Sequence, residues 1–257
     1  MKITIVTVVF NDKEHILKTI DSVHSQTVRK NMEYIIVDGE STDGTSELIE
    51  SRGNRVDKYI REKDTGIYNA MNKGIKNAEG DYIVFMNSGD CFTATDTVER
   101  VVNYITLSGK SPALVYGDYR ESRAGVCSSP IPSRNPKMIW YGAVASHQSC
   151  FYNREFLSEN NLLYDESYKI AADYKLTMQV IKQSEGDVLR IPLCVSDFDV
   201  AGLSNLNQDL GLKEANRVRR EILGWGKTKE LMMTAVLLSA RAAKRHGGKL
   251  YKTLRRL

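Results

Sequence analysis

Gly80-Asp81-Tyr82-Ile83-Val84-Phe85-Met86-Asn87-Ser88-Gly89-Asp90-Cys91 is the stretch on which the reading of the fold turns. Tyr82 to Met86 are all apolar or aromatic, the length and composition of a strand buried on both faces. Small polar residues and a carboxylate follow at once, where a parallel strand gives way to a loop. In open α/β sheets that carboxyl edge is where ligands bind. Asp90 beside a flexible glycine is placed to offer a hard oxygen to a divalent cation, an ion that commonly escorts phosphate. Asn, Ser, Gly and Asp also favour turns, so the stretch alone leaves a site and a plain turn both open.

Working outward, the same grammar repeats. Ile3 to Phe10 reads as a first buried strand ending at Asn11-Asp12, and Ile16, Ile20 and Val23 recur at helical spacing behind it. Tyr34 to Val37 is a second strand, ending on Asp38-Gly39, followed by a helix with Leu48 and Ile49 that Thr42, Asp43 or Thr45 would cap. Tyr59-Ile60 makes a short third strand. Ile67, Ala70, Met71 and Ile75 then share one helical face, with Thr65-Gly66 near the helix start and Lys73 about two turns in. Strand and helix alternating at this pace predict an α/β fold, a doubly wound and mostly parallel sheet flanked by helices.

Beyond the central strand, Val98 to Leu107 reads as a helix and Leu114 to Asp118 as a strand. Glu121 to Pro136, with three prolines, reads as an irregular excursion, and His147 to Tyr152 as strand-like. Asp165 to Gln183 is a helix with Asp173 near its beginning, Val188 to Val195 a last short strand, and Phe198 to Ser204 a glycine-containing loop. The sequence divides at about residue 205, with 206–257 forming a helical, basic extension.

The composition, 42% hydrophobic and 26% charged over 257 residues, is that of a folded globular chain and excludes disorder and coiled coil. The chain enters a strand at Met1-Lys2-Ile3 without the pattern of a secretory signal. No apolar run approaches the ~20 residues of a spanning helix, so a cytoplasmic location is expected. Cys91, Cys127, Cys150 and Cys194 are scattered and lack paired-ligand spacing, which argues for reduced thiols. The net charge of +4 conceals an asymmetry: from Gly226 onward nine Lys or Arg face one Glu, while the remainder carries 27 basic and 31 acidic residues. An acidic body argues against nucleic acid as a partner. A basic tail around Met232, Met233 and Val236 to Leu238, continuing through Lys249, Lys252, Arg255 and Arg256, suits an anionic membrane surface, where each basic residue contributes ~1 kcal/mol. The same helix packed on the body with solvated charges is the alternative.

Taken together and in order, Thr7-Val8-Val9-Phe10-Asn11, Val37-Asp38-Gly39 with Ser41 to Thr45, Asp64-Thr65-Gly66-Ile67-Tyr68 with Met71 to Gly74, Asn87-Ser88-Gly89-Asp90, Ala172-Asp173-Tyr174 and Gly202-Leu203-Ser204 resemble the family 2 glycosyltransferases of GT-A fold, the bacterial surface-polysaccharide type in particular. The resemblance spans roughly residues 3 to 204 and implies an inverting, metal-dependent transfer from a nucleoside diphosphate sugar, a UDP-sugar, to a glycan or lipid-linked acceptor at the inner face of the cytoplasmic membrane. It implies that Asp38 accepts a hydrogen bond from the base. Thr7 and Phe10 would wall the nucleotide pocket, Asp64 and Lys73 would lie on the nucleotide side, and Asn87, Ser88 and Gly89 would face the diphosphate. It implies that Asp90, joined by His147, holds Mn2+ or Mg2+, and that Asp173 is the catalytic base. Here Asn87 and Gly89 stand where many relatives carry carboxylates. Each residue also has a plainer reading: Asp38 as a turn or cap residue, Lys73 as a solvated lysine, His147 as an acceptor contact or a satisfied strand-end histidine, Asp173 as a partner of the helix dipole. A nucleotidyltransferase would want a Gly-rich basic loop after the first strand, and Val8 to Asp12 offers none. A non-catalytic membrane partner that kept only the fold is the rival from another class.

Overall fold

Alternation along the first strand splits the hydrophobic residues between two cores. In the computed structural model, which describes residues 1–123, 125–199 and 207–245, β1 (Ile3–Val9) is buried along its whole length. Ile3, Ile5 and Val9 face a layer containing α1 (Ile16–His24) and α4 (Thr97–Ser108), whereas Val6 and Val8 face α3 (Ile67–Asn77) and α6 (Ala172–Gln183). A period of two on a doubly covered sheet requires this division. Each fully buried aliphatic or aromatic side chain contributes about 1.5–3 kcal/mol, so the sheet centre is the most stable part of the molecule.

The strand order is β3-β2-β1-β4-β8-β6-β9-β5, with β7 appended to β6. β2 (Met32–Asp38), β3 (Lys58–Arg61) and β4 (Tyr82–Phe85) join β1 in parallel, as expected from strand–helix alternation; α2 (Thr45–Glu50) links the second and third. The N-cap of α2 is Gly44, without a side-chain cap, rather than Thr42, Asp43 or Thr45; Asp43 just ahead of it accepts from the N–H and hydroxyl of Thr45. Close approach explains one glycine: a Cβ on Gly74 would overlap Val6, so α3 lies on β1 at a distance only glycine permits.

The other half is mixed rather than parallel. β8 (Cys150–Asn153) runs against both β4 and β6 (Leu114–Arg123), and β5 (Cys91–Phe92) runs against β9 (Val188–Asp199). Several expectations change here. The Glu121 to Pro136 excursion is partly a hairpin, with β7 (Val126–Cys127) on β6 and Ile131 bridging Tyr119. β9 reaches Asp199 instead of Val195 because β6 and β5 pair with it along its length, past an irregularity where Gly117 lies against Leu193. His147–Ser149 is a 3-10 turn preceding the strand. A short α5 (Arg154–Glu159), capped by the Asn153 side chain, follows it unanticipated. The helix expected from Asp165 begins only at Ala172.

The helices beyond residue 205 pack against the body. α7 (Gln208–Leu223) buries Val218, Glu214 and Arg219 against the body, and its Glu221 pairs with Lys175 on α6 at 2.6 Å. α8 (Lys227–Arg245) turns back on α7 through Met233, the Asn216–Thr234 hydrogen bond and the Arg220–Glu230 pair. Gly202-Leu203-Ser204 and the basic residues from Lys249 onward lie outside the described residues.

Candidate active site

Register brings the site together. Val9 pairs with Asp38 and Val6 with Phe85, so β1, β2 and β4 finish on one edge. β8 is antiparallel to β4, and its beginning therefore arrives where β4 ends, delivering His147 and Gln148 beside Asn87 to Asp90. The start of α6 adds Asp173, and the end of β9 adds Phe198 and Asp199. These elements wall one cleft of about 650 Å³ that also contains Phe10, Asp64 and Lys169. A second cavity, about 660 Å³, opens at the far edge among Met1, Asp81 and Arg154 and holds none of the expected site residues.

The Asn87–Asp90 segment is a tight turn in which the Asp90 N–H donates to the Asn87 carbonyl at 3.0 Å. Gly89 has a φ of 90°, the left-handed geometry such a turn asks of its third residue. The missing carboxylate at position 89 thus has a backbone reason. α1 pins the turn from behind: Lys18 donates to the Gly89 carbonyl at 2.8 Å, and the Thr19 hydroxyl donates to the Asp90 carbonyl at 2.8 Å. Asp90 is only 5% exposed. Its carboxylate accepts from the Gln148 amide at 2.7 Å and from the Asp199 N–H at 3.0 Å. Burial pushes its carboxyl up to about 6, against the pull of these donors.

His147 links that turn to α6. Its Nε2 stands 3.1 Å from the Asn87 amide nitrogen and its Nδ1 3.7 Å from Asp173 Oδ2. Acceptance from the amide leaves the proton on Nδ1, directed at Asp173. Asp173 Oδ1 accepts from the Tyr174 N–H at 2.7 Å.

Three expected donor contacts are not brought into the cleft. Asp38 has no accessible surface, and its oxygens accept from Ser41, Ser46 and Tyr59 at 2.5–2.9 Å. Burial tends to raise its carboxyl, yet those hydrogen bonds outweigh it and hold the group below the ordinary aspartate value. It fastens the β2 end to α2 and β3. The adjoining Gly39 does border the cleft wall, since a Cβ there would strike Asp64 and the Phe10 ring. Thr7 is buried and donates to the Met86 carbonyl at 2.7 Å, tying β1 to β4. Lys73 reaches the Lys63 carbonyl at 2.7 Å and secures the loop that carries Asp64. Phe10, Asp64, Asn87, Ser88, Gly89, Asp90, His147 and Asp173 do share the cleft.

Among the described residues no three His, Cys, Asp or Glu side chains converge as a metal cage. The donor set is instead one carboxylate, Asp90, with two neighbouring oxygens, Asn87 Oδ1 and Ser88 Oγ, buried without a hydrogen-bond partner. A single carboxylate with neutral oxygens fits a Mg2+-like cation that completes its shell with substrate phosphates and water. His147, its nitrogens turned to Asn87 and Asp173, is less suited to that shell than to orienting its neighbours.

Sequence reasoning missed Gln148, Asp199 and Lys169, and left Asp12 and His15 unassigned, although all line the cleft. Adjacency to His147 was the one available signal for Gln148. Asp12 and His15 pair at 2.5 Å, and this hydrogen bond raises the imidazole above its usual value.

The chain matches the description Glycosyl transferase family 2 over residues 4–159. An uncharacterized glycosyltransferase of Mycobacterium tuberculosis is 30% identical over 206 residues, covering 79% of this chain and 77% of that protein. A PGL/p-HBAD biosynthesis glycosyltransferase of Mycobacterium bovis is 27% identical over 200 residues, 72% of each. In three dimensions the chain is similar to S. aureus TarS in complex with UDP-GlcNAc, with a TM-score of 0.70 at 15% identity over 99% of this chain and 78% of that one. It is also similar to the mannosyltransferase PcManGT of Pyrobaculum calidifontis in complex with GDP-Man and Mn2+, with a TM-score of 0.68 at 16% identity over 98% and 78%. The sheet and its flanking helices are therefore a GT-A fold, and the chain belongs to glycosyl transferase family 2.

Proposed function

We propose that the protein is an inverting glycosyltransferase that moves a sugar from a nucleoside diphosphate donor, a UDP-sugar, to a hydroxyl of a glycan or lipid-linked acceptor during assembly of a cell-surface glycan. The observation that carries this reading is that Asp90 and Asp173 open into one cleft, joined through Asn87 and His147. Phe10, largely exposed beside Gly39, offers a face to the base, and Asp64 supplies an acceptor on the same side. Asp90, with Asn87 and Ser88, would hold a divalent cation, which when bound neutralises charge on the departing diphosphate. Gln148 and the Asp199 N–H fix the Asp90 carboxylate in place. Asp173 takes the proton from the acceptor hydroxyl as that oxygen attacks the anomeric carbon and the bond to the diphosphate breaks. His147, with its Nδ1 3.7 Å from Asp173 Oδ2, stands beside the base.

Attachment to the cytoplasmic face of a membrane is part of this reading. Among the described residues no helix is long and apolar enough to cross a bilayer. α8 buries Met233 yet exposes Leu231, Met232, Val236 and Leu238 on the side turned from α7, beside basic Lys227 and Lys229, a composition suited to an anionic interface. Deletion of residues 226–257 is expected to abolish co-sedimentation with phosphatidylglycerol vesicles; undiminished sedimentation would remove the membrane role. Transfer itself is tested by UDP release from a mixture of UDP-glucose, UDP-galactose and UDP-GlcNAc with Mn2+ and a membrane lipid extract. Release that is absent, or independent of the lipid extract, would refute the acceptor class.

A further inference from the structure

α7 lies beyond the family match, which ends at residue 159, yet it grips the backbone that leads into α6 and a second segment packed behind that helix. Glu214 is buried, 8% exposed, and takes three backbone N–H groups: Lys169 at 2.9 Å on Oε1, with Ile170 and Ala171 at 2.9 Å each on Oε2. Ala171 is the N-cap of α6 and provides no side-chain cap of its own. The carboxylate of a distant helix thus anchors the backbone that leads into α6, two residues ahead of Asp173. One turn further along α7, Arg219 is 1% exposed and donates to the Trp140 carbonyl at 2.8 Å and the Tyr141 carbonyl at 3.0 Å. Tyr174, next to Asp173, donates to the carbonyl of Ile139 at 2.6 Å, so the segment held by Arg219 also touches α6.

Burying a charge is expensive, and well-packed apolar residues hold two helices together as firmly. What three directional hydrogen bonds add is a fixed position for the backbone they engage. Lys169, Ile170 and Asp173 all line the cleft, so the position fixed is that of the cleft wall. We propose that Glu214 is a positioning residue for the transfer reaction: it sets the start of α6 so that the Asp173 carboxylate meets the acceptor hydroxyl. This rests on the reading of Asp173 as the base. It makes the C-terminal helices a working part of the catalytic unit rather than an appended anchor.

The test uses the full chain and two variants, Glu214→Gln, which keeps the shape and one accepting oxygen, and Asp173→Asn. UDP release from the UDP-sugar mixture with lipid extract gives turnover, calorimetry gives UDP affinity, and a thermal melt gives Tm. A displaced base costs rate without donor affinity, so Glu214→Gln is expected to lose about 10-fold or more in turnover, within the reach of a small misplacement. Its UDP affinity should stay within about 2-fold and its Tm within a few degrees, because Glu214 is not part of the cleft lining and Gln keeps the side chain's volume and one accepting oxygen. Turnover near wild type while Asp173→Asn is inactive overturns the positioning role and leaves the base assignment standing. An active Asp173→Asn overturns the reading beneath it. Loss of UDP affinity in proportion to turnover, or a large fall in Tm, makes Glu214 a general stabiliser and overturns the proposal as well. Should Glu214→Gln fail to fold, Glu214→Asp, which keeps the charge and retracts it by one methylene, is read by the same criteria.

Discussion

The two walls of the cleft are built on different principles. The wall assigned to the donor consists of the ends of β1, β2 and β4, three parallel strands whose exits coincide because consecutive strands pair in register. The wall assigned to the acceptor joins the 3-10 turn before β8, placed by that strand's register, to the first turn of α6, which pairs with no strand and whose leading backbone is held by Glu214 on α7. Glu214 reaches across 45 residues to Lys169, and Arg219 across 79 to Trp140. On one side, then, position follows from local hydrophobic pattern. On the other it follows from a few long-range polar contacts, and the second kind of wall is the easier to disturb.

The largest effect that separates the walls comes from the pair Asp173→Asn and Asp90→Ala. Removing the base is expected to lower transfer about 10²–10⁴-fold with UDP affinity kept, whereas Asp90→Ala should lose the Mn2+-dependent part of UDP binding along with turnover. Calorimetry with and without Mn2+ distinguishes them, and equal behaviour of the two variants would erase the distinction between the walls. A smaller effect sharpens it. Asp38 is buried with its oxygens engaged by Ser41, Ser46 and Tyr59, so Asp38→Asn should cost about 1–3 kcal/mol in chemical denaturation while UDP affinity stays nearly unchanged. The reverse outcome would restore Asp38 to the nucleotide pocket.

The smallest effect is one of pH. Asp165 is held down at about 2, where the hydrogen bond from Lys175, with those from Ser167, overcomes the opposing cost of burial. A carboxyl depressed in the folded state contributes stability that is complete above its ordinary value near 4 and is lost as pH falls toward 2. Wild type should therefore exceed Asp165→Asn by about 1–2 kcal/mol near neutrality, allowing for solvent screening, and the difference should vanish near pH 2. An unvarying gap across that range would show that the Asp165–Lys175 pair does not tie α6 to its surroundings.

Legibility in the sequence follows the same division. Ile3 to Val9, Tyr34 to Val37 and Tyr82 to Phe85 announce themselves because a doubly covered strand must be apolar throughout, and Asn87 to Asp90 is found by its place after such a run. Asp38 and Thr7 stay ambiguous for the same reason: a polar residue in a buried strand either faces a ligand or closes an internal hydrogen bond, and composition does not tell these apart. Glu214 and Arg219 carry no local mark, and Gln148 only its adjacency to His147. Each is an ordinary polar residue whose partner is supplied by a distant segment, as with Gln148 and Asp90, 58 residues apart. The packing of the helix beyond residue 205 is hidden on the same ground, since a basic helix solvated on one face and one that buries Glu214 and Arg219 read alike until the opposing carbonyl and amide groups are known.

The reversed direction of β8 has a consequence for how such a fold diversifies. Its pairing with β4 and β6 is fixed by Cys150 to Asn153 alone, and the chain that precedes it, from Ser128 to Ser146, enters from the rim without having to thread the sheet. Exchanges are tolerated there at exposed positions such as Pro132 and Lys137, whereas Ile131, Ile139 and Val144 are buried and must keep their packing. A library confined to the exposed positions of 128–146 would accordingly reshape the rim and leave the ladder behind it in step.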